Sequence, residues 1–195
     1  MAVDNFNRAD GDPGSNWTSL NGMAKPPIVS NLLQPTNGGG NQGMSWSAAT
    51  IAADQFSTID CTLGTGPSSG VGPVVRRNGA AYYMAQWNTG NGGEYNVWEA
   101  PSFTRIGSQI TGVGVSGTRT LRLEVSGTTV TFFVDGVSQT SGTNSGIASG
   151  EPGIQINSNT SASTADNWEG AILAAAAAAP PLFNRRAPIA HLLRR

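Results

Sequence analysis

The sequence predicts an all-β fold, an antiparallel β-sandwich, and three observations support this prediction. Charged residues make up 12% of the 195-residue chain and 26 residues are glycine, a balance that disfavours helices, because helix interiors exclude glycine. Turn dipeptides recur at short intervals, and between them apolar and polar residues alternate as in half-buried strands. Turns at such spacing favour a sandwich over a βαβ fold, which needs helical crossovers.

The first half of the chain contains several predicted strands separated by loops. A short strand is predicted within residues 3–8, and the glycine-rich segment 37–43 is predicted to be a flexible loop. Residues 55–63 alternate and predict a half-buried strand. The segments 71–77 and 80–87 predict a hairpin that turns at Asn78-Gly79, a dipeptide suited to the positive φ angles of a two-residue turn.

The second half carries the clearest strand pattern, in residues 119–137. Apolar side chains alternate with polar ones on both sides of a Ser126-Gly127 turn, and Asp135-Gly136 turns the chain again. Residues 153–157 and 165–169 are predicted to be the closing strands. The predicted core positions of the meander are Leu121, Leu123, Val125, Val130, Phe132 and Val134.

The composition changes after residue 170, so we predict a sandwich domain over residues 1–170 and an appendage over residues 171–195. The appendage contains six consecutive alanines, then Pro180-Pro181, then a segment that mixes arginines with apolar residues. We expect this extended C-terminal arm to dock on another subunit; the alternative is a frayed tail. The predicted anchoring residues are Phe183, Arg185, Arg186, Ile189, Leu192, Leu193, Arg194 and Arg195.

The charge distribution narrows the classes of partner. Residues 1–170 hold seven basic and twelve acidic residues, a net charge of −5, which does not attract phosphate backbones, so no nucleic-acid partner is expected. No stretch reaches the roughly 18 apolar residues of a membrane span. Because residues 1–6 do not look like a secretory signal, the protein is expected to stay in the cytoplasm or to leave it without a signal.

Few residues suggest metal, cofactor or nucleophile chemistry. Cys61 lies in an alternating segment and is interpreted as a buried thiol, and His191 lies in the arm. The segment Gly112-Val-Gly-Val-Ser-Gly117 precedes a predicted strand, whereas a dinucleotide-binding loop must open a helix. The loop Asp10–Asn16 fits Asx turns, with a calcium site as the alternative. No cofactor and no metal are predicted.

An aromatic and amide cluster is the best candidate for a ligand site. Trp87, Asn91, Tyr95 and Trp98 lie within a dozen residues, with further asparagines between them. Aromatic rings stack on sugar faces while amides bind hydroxyl groups, which predicts a glycan-binding groove. The alternative is that the two tryptophans end strands and cap the core, with their indole N–H groups satisfied at its rim.

Three pieces of sequence, taken together, match a known pattern. They are Asp4-Asn-Phe-Asn-Arg8 with Gly14-Ser-Asn-Trp17, the segment 120–136, and Pro152-Gly-Ile-Gln-Ile156 with Ala165-Asp-Asn-Trp168. Together they resemble the concanavalin A-like lectin/laminin-G superfamily over residues 3–170. This resemblance implies a jelly-roll sandwich whose first and last strands pair. The superfamily includes glycoside hydrolases, lectins, adhesion modules and bacteriophage virion proteins, so the fold does not choose the function.

The acidic residues do not match those of the superfamily's hydrolases. Members that cut β-glucans have a Glu-x-Asp-x-x-Glu strand, which this sequence lacks. Glu94 and Glu99 are close in sequence but fall on opposite faces of a regular strand, whereas glycoside hydrolysis needs two carboxylates roughly 5–10 Å apart. We therefore expect no enzyme activity.

Two functions remain as expectations. The first is a virion structural protein, a phage capsid decoration or outer-surface protein, present in a symmetric array or homo-oligomer and tied by its arm to other virion proteins after assembly in the host cytoplasm. Many anchored copies would add avidity. The alternative is a carbohydrate-binding adhesion module, including a phage tail or host-recognition component, whose partner is a surface glycan.

Overall fold

The computed structural model describes residues 1–36, 40–49, 51–64, 66–158 and 163–173. Within these ranges the chain forms short antiparallel strands and a single 3-10 turn at Gly90–Gly92. No helix in the described ranges has the length and apolar character needed to cross a membrane. The strands are β1 Ala2–Asp4, β2 Trp17–Ser19, β3 Ile28–Val29, β4 Leu32–Leu33, β5 Gly40–Trp46, β6 Gln55–Thr62, β7 Gly70–Asn78, β8 Ala81–Asn88, β9 Glu94–Ala100, β10 Thr104–Arg105, β11 Ile110–Thr111, β12 Thr118–Ser126, β13 Thr129–Val134, β14 Val137–Thr143, β15 Glu151–Ser158 and β16 Thr164–Ile172.

Two sheets pack face to face and confirm the predicted all-β sandwich. Sheet 1 has the order β14-β13-β12-β6-β16-β4-β3, with β1 also on β16, and sheet 2 has the order β10-β9-β8-β7-β15-β5-β2, with β11 also on β9. β1 pairs with β16, Ala2 opposite Gly170, so the first and last strands lie side by side as the resemblance implied. Neighbouring strands in both sheets run antiparallel.

The core lies between the sheets and follows the alternation in the sequence. Leu121, Leu123 and Val125 of β12 are fully buried and pack in the same cluster as Val71 and Trp87 of sheet 2. The turn predicted at 135–136 lies between β13 and β14, whereas the turn predicted at Ser126-Gly127 lies one residue later, at 127–128, because Ser126 ends β12 and pairs with Thr129. The predicted meander is therefore confirmed, because burial of one face requires a period of two.

The hairpin between β7 and β8 is confirmed, but the predicted position of its turn is wrong. Asn78 is the last strand residue, paired with Ala81, and Gly79 opens the turn with a φ of 59°. The cause is a β-bulge in β7 between Val75 and Asn78, where Arg76 has a φ of 52°. A bulge adds one residue to its strand, so the turn begins one residue later.

Two other predictions need correction. Residues 40–43, predicted to be part of a flexible loop, belong to β5 and pair with β15. Gly43 leaves room for Leu20 beside this strand, since a Cβ at Gly43 would sit 2.9 Å from Leu20 Cδ2. β16 runs to Ile172, past the predicted boundary at residue 170. Residues 37–39 and the predicted arm from residue 174 lie outside the described residues.

The N-terminal motif is organised by the carboxylate of Asp4. It accepts hydrogen bonds from the Phe6 amide at 2.9 Å, from both terminal nitrogens of Arg8 at 2.6 and 2.9 Å, and from Trp17 Nε1 at 2.8 Å. Trp17 then packs edge-on against Trp168 of β16, with ring centroids 4.6 Å apart. Asp4 therefore connects the Asp4–Arg8 segment to Trp17, and Trp17 in turn contacts β16. These contacts close one end of the sandwich.

We expect the Asp4→Asn variant to be less stable than the wild type at neutral pH by about 2 kcal/mol, because charged hydrogen bonds are lost. Burial alone would raise the pKa of Asp4, but the bonds from Arg8, Trp17 and the Phe6 amide together hold it below its ordinary value of 3.8. The stabilisation is therefore complete above pH 3.8 and disappears as the pH falls through the lower folded pKa.

The measurement is urea unfolding between neutral pH and about pH 2. The wild type should lose stability below pH 4 more steeply than Asp4→Asn. Asp12→Asn is the matched control. It should change the acid profile less than Asp4→Asn does, because the Asp12 side chain is 63% exposed and its pKa is lowered by an exposed contact with Lys25. Equal acid profiles for the wild type and Asp4→Asn would contradict the assigned role of Asp4.

Candidate functional site

The face of sheet 2 that points away from sheet 1, called here the outer face, has two chemically different ends. Strand alternation turns Tyr83, Ala85 and Trp87 into the core, so the residues between them point outward. The apolar end of the outer face is buried under Leu20, Met23 and Trp98, and contains Val74, Tyr82, Met84 and Ala100. The other end, called here the amide end, contains Gln86, Asn88, Glu94, Asn96, Gln155 and Asn157.

A pocket of about 640 Å³ opens beside the amide end. Gln86 and Asn88 of β8 and Asn157 of β15 form its sheet wall, and two loops form the opposite wall. The loop between β6 and β7 contributes residues 66–69, and the loop after β8 contributes Thr89 and Gly90. Polar side chains from distant parts of the chain therefore converge on one concave space.

Gly70 makes room for one of these amides. The Gln86 side chain lies over Gly70, where an added Cβ would come within 2.5 Å of Gln86 Nε2. Gly72, two residues along the same strand, is closed in by backbone instead, since a Cβ there would lie 1.8 Å from the carbonyl oxygen of Ala85. The first glycine positions a site residue, whereas the second permits the strand pairing itself.

Hydrogen bonds fix the orientation of the amides around Glu94. Asn91 Nδ2 donates to Glu94 at 2.7 Å, Asn96 Nδ2 donates at 3.0 Å, and Gln109 Nε2 donates as well. Burial alone would raise the pKa of Glu94, but the hydrogen bonds from these amides and from Asn88 together hold it below its ordinary value. Glu94 is therefore a negatively charged acceptor at neutral pH.

Some polar atoms of the site have no partner within the described part of the chain. Asn96 Oδ1 and Ser69 Oγ are buried without a hydrogen bond, and Gln86 Nε2 makes none either, although Gln86 Oε1 accepts from Asn88 Nδ2 at 3.3 Å. Buried polar groups are normally paired, by protein, water or ligand. Ser69 Oγ and Asn96 Oδ1 lie below the surface, whereas Gln86 lines the pocket, so Gln86 Nε2 is the one of these atoms that a ligand in the pocket could reach.

The four residues predicted from the aromatic cluster divide between the two faces of sheet 2. Trp87 and Tyr95 are at most 2% exposed and point into the core. Trp87 Nε1 donates to the Gly114 carbonyl at 2.9 Å, and the Tyr95 ring packs edge-on against Phe132. Their ring faces cannot stack on a sugar, so the groove predicted around them needs correction: they occupy the inward positions of their strands and cap the core.

The other two predicted residues lie on the site's side of sheet 2. Asn91 is exposed in the 3-10 turn and donates to Glu94, at the amide end. Trp98 is half-buried at the apolar end, with the Arg105 guanidinium 4.8 Å from its ring centroid. The predicted anchoring residues of the arm, Phe183 to Arg195, lie outside the described residues.

Sequence reasoning missed Gln86, although a usable signal was present, and it named Asn88 and Asn96 only as amides between the aromatic residues. If Trp87 and Tyr95 are core residues, the alternation of a strand places their polar neighbours on the opposite face. Gln155 had no such signal, because it comes from β15, whose position beside β7 depends on the order of strands in the sheet.

The remaining candidates have structural explanations. Asp12 Oδ1 accepts from the Gly14 amide at 2.6 Å, an Asx turn, and from Lys25 Nζ at 2.8 Å. Among the described residues, no three His, Cys, Asp or Glu side chains lie together in a group that could hold a metal. Burial raises the pKa of the Cys61 thiol, which keeps it protonated. The 112–117 segment is a loop before β12.

The three carboxylates on the strands of sheet 2 lie far apart. Glu94 is on the outer face, whereas Glu99 has the opposite orientation and accepts from Asn144 Nδ2 at 2.7 Å. Glu151 pairs with Arg77 at 3.2 Å, at the other end of the strands from Glu94. That places Glu94 and Glu151 roughly 20 Å apart at 3.3 Å per strand residue. Among the described strands of sheet 2, no two carboxylates have the roughly 5–10 Å spacing of a glycosidase acid pair.

Comparison with solved structures identifies the fold. The chain is similar to the carbohydrate binding module CBM66 from Bacillus subtilis, with 17% identity, a TM-score of 0.60, and coverage of 80% of this chain and 96% of that one. It is also similar to the GH43 protein BlXynB from Bacillus licheniformis, with 12% identity and a TM-score of 0.65 over 88% of this chain and 39% of that one. A third similar structure is SCLam, a non-specific endo-β-1,3(4)-glucanase from family GH16, with 10% identity and a TM-score of 0.58 over 87% of this chain and 90% of that one.

The sequence itself has no such match. No protein-family model and no curated protein matches the chain. At these low identities the structural likeness concerns the fold and not the activity. The chain has the concanavalin-like β-sandwich fold that the sequence resemblance predicted.

Proposed function

We propose that this domain binds carbohydrate without cleaving it and that the amide end of the outer face is its binding site. The observation that carries the proposal is the pocket of about 640 Å³ walled by Gln86, Asn88 and Asn157. Gln86 Nε2, which makes no hydrogen bond among the described residues, belongs to the wall of this pocket.

The chemistry of the pocket suits hydroxyl groups. A primary amide offers two donors and an acceptor, and a hydroxyl both donates and accepts, so the two groups satisfy each other without charge. Trp98 lies four residues along β9 from Glu94, about 13 Å at the rise of a strand. A glycan several sugar units long could fill the pocket and reach the Trp98 ring, whereas a single sugar could not.

The similarity to CBM66 from Bacillus subtilis supports this function, since that protein is a carbohydrate binding module that shares the sandwich over nearly its whole length. The similarity to the GH16 glucanase gives no reason to propose catalysis as well. Glu94 and Glu151 lie at opposite ends of the outer face, and Glu99 lies on the inner face, in the geometry described above.

We expect the Asn88→Ala variant to lose about tenfold or more in affinity for a glycan that the wild type binds, because one or two hydrogen bonds in the pocket disappear. Isothermal titration after a polysaccharide screen measures the effect. Gln139→Ala is the matched control, because Gln139 is an amide on β14 of sheet 1, where it bonds to the Val137 carbonyl. If Asn88→Ala binds as the wild type does, the pocket is not the site.

The expected virion role remains a prediction. It rests on the arm residues between 183 and 195, which lie outside the described residues. None of the structures compared above is described as a virion protein. The test measures whether the full chain attaches to particles that lack this subunit, and whether a chain that ends at Ile172 attaches to them as well.

A further inference from the structure

We propose that the amide end selects neutral, hydroxyl-rich glycans and rejects glycans that carry carboxylate or sulfate groups, with Glu94 as the residue that determines this choice. The inference rests on the proposed carbohydrate-binding function and names the class of ligand. Its support is the charge distribution around Glu94 and the hydrogen bonds that orient the neighbouring amides.

Among the described residues, no cation bonds to Glu94 or shifts its pKa. Its hydrogen-bond partners are all neutral amides, and its pKa is set by burial and these bonds, without a contribution from any basic group. The residues that line the pocket are uncharged. A ligand anion in this pocket would therefore meet an uncompensated charge of its own sign.

The arginines carried by the described strands of sheet 2 or packed on its core face are engaged elsewhere. Arg105 stacks on Trp98, Arg77 pairs with Glu151, and Arg76 donates to the carbonyls of three loops. Arg119 lies over the Trp87 ring on the core side and donates to the Val113 carbonyl. Sites that bind carboxylate or sulfate groups commonly offer a guanidinium as a two-pronged donor, and this pocket offers none.

The amides beside Glu94 differ in what they can offer to a ligand. A carboxylate only accepts, so Asn96 turns its Nδ2 towards Glu94, and Asn96 itself is fully buried. Gln86 Oε1 accepts from Asn88 Nδ2, which leaves Gln86 Nε2 as a free donor among the described residues. Because Gln86 lines the pocket, this donor is the one that a ligand can use.

A neutral hydroxyl group can accept from Gln86 Nε2 without bringing a negative charge to Glu94. An ionised carboxylate or sulfate would accept the same hydrogen bond but would add a charge of the same sign as that of Glu94.

The test compares a neutral polysaccharide that binds the wild type with the same polysaccharide after its primary hydroxyls have been oxidised to carboxylates. We expect the oxidised form to bind about tenfold more weakly or worse at low salt, the effect of one like charge at close range. In Glu94→Gln the ratio between the two forms should shrink. Glu124→Gln, which removes a half-buried carboxylate of sheet 1, should leave the ratio unchanged.

Salt provides a second measurement on the unaltered protein, should Glu94→Gln fold poorly. Discrimination by charge should weaken as the salt concentration rises. Equal or tighter binding of the oxidised form would overturn the inference and leave the proposed function intact. Unchanged discrimination in Glu94→Gln, or at high salt, would also overturn it. If no polysaccharide binds at all, the proposed function and this inference both fall.

Discussion

The Arg76→Met variant should lose about 4 kcal/mol of unfolding free energy, because the hydrogen bonds from a buried guanidinium to three carbonyls, and its ion pair with Asp54, disappear. The Arg76 side chain is 3% exposed and joins three loops. Its Nε donates to the Ala53 carbonyl at 2.8 Å, one terminal nitrogen to Ile147 at 2.9 Å, and the other to Gly127 at 2.8 Å. Methionine fills much of the volume but offers no donor, so three carbonyls would lose their partner.

Urea unfolding of the pure domain measures the loss. Arg76→Lys should recover little of it, because one ammonium cannot span three carbonyls as a guanidinium does. Arg105→Met is the matched control: its guanidinium is exposed and makes a ring contact worth about 1 kcal/mol or less. A loss below 1 kcal/mol in Arg76→Met would show that the three loops keep their positions without the Arg76 hydrogen bonds.

Alanine at Gly72 and at Gly70 should give opposite results, although the two glycines lie on the same face of β7. Gly72→Ala is expected to destabilise the domain by about 3 kcal/mol or more, because its Cβ would overlap the Ala85 carbonyl oxygen and force β7 away from β8. Gly70→Ala displaces the Gln86 side chain only. It should keep the wild-type stability within about 1 kcal/mol and weaken glycan binding.

Thermal unfolding and glycan titration on the same two proteins separate the effects. Each variant is the control of the other, since both add one methyl group to the same strand. Wild-type stability in Gly72→Ala would mean that the strand can shift to accept a side chain. Wild-type binding in Gly70→Ala would mean that the orientation of Gln86 is unimportant for the ligand.

Strands were predictable where burial follows sequence alternation directly. The pattern from Leu121 to Val134 required no knowledge of the partner sheet, because an antiparallel pair with one buried face must alternate. The turn after β7 was less predictable. Its position depends on the bulge at Arg76, and that bulge is held by contacts with residues more than twenty positions away along the chain.

The sequence indicated a stretch of chain that contributes to the candidate site, but not which of its side chains lie on the outer face. The stretch around residues 87–98 was singled out, and it supplies Asn91, Glu94 and Asn96 to the amide end. The prediction chose the aromatic rings as contacts, however, and two of them are core residues. Alternation shows which residues share a face, yet it does not show which face is covered by the second sheet.

The sequence by itself therefore determined the fold class, the clearest strands and the residue types available for recognition. Tertiary structure decided which of those residues meet. Sheet pairing places Asn157 of β15 in the same pocket wall as Gln86 and Asn88 of β8, although about 70 residues separate them. Packing of sheet 1 against Trp87 and Tyr95 turned the rings inward and left the amides outside, because burying aromatic surface is worth more than burying amides.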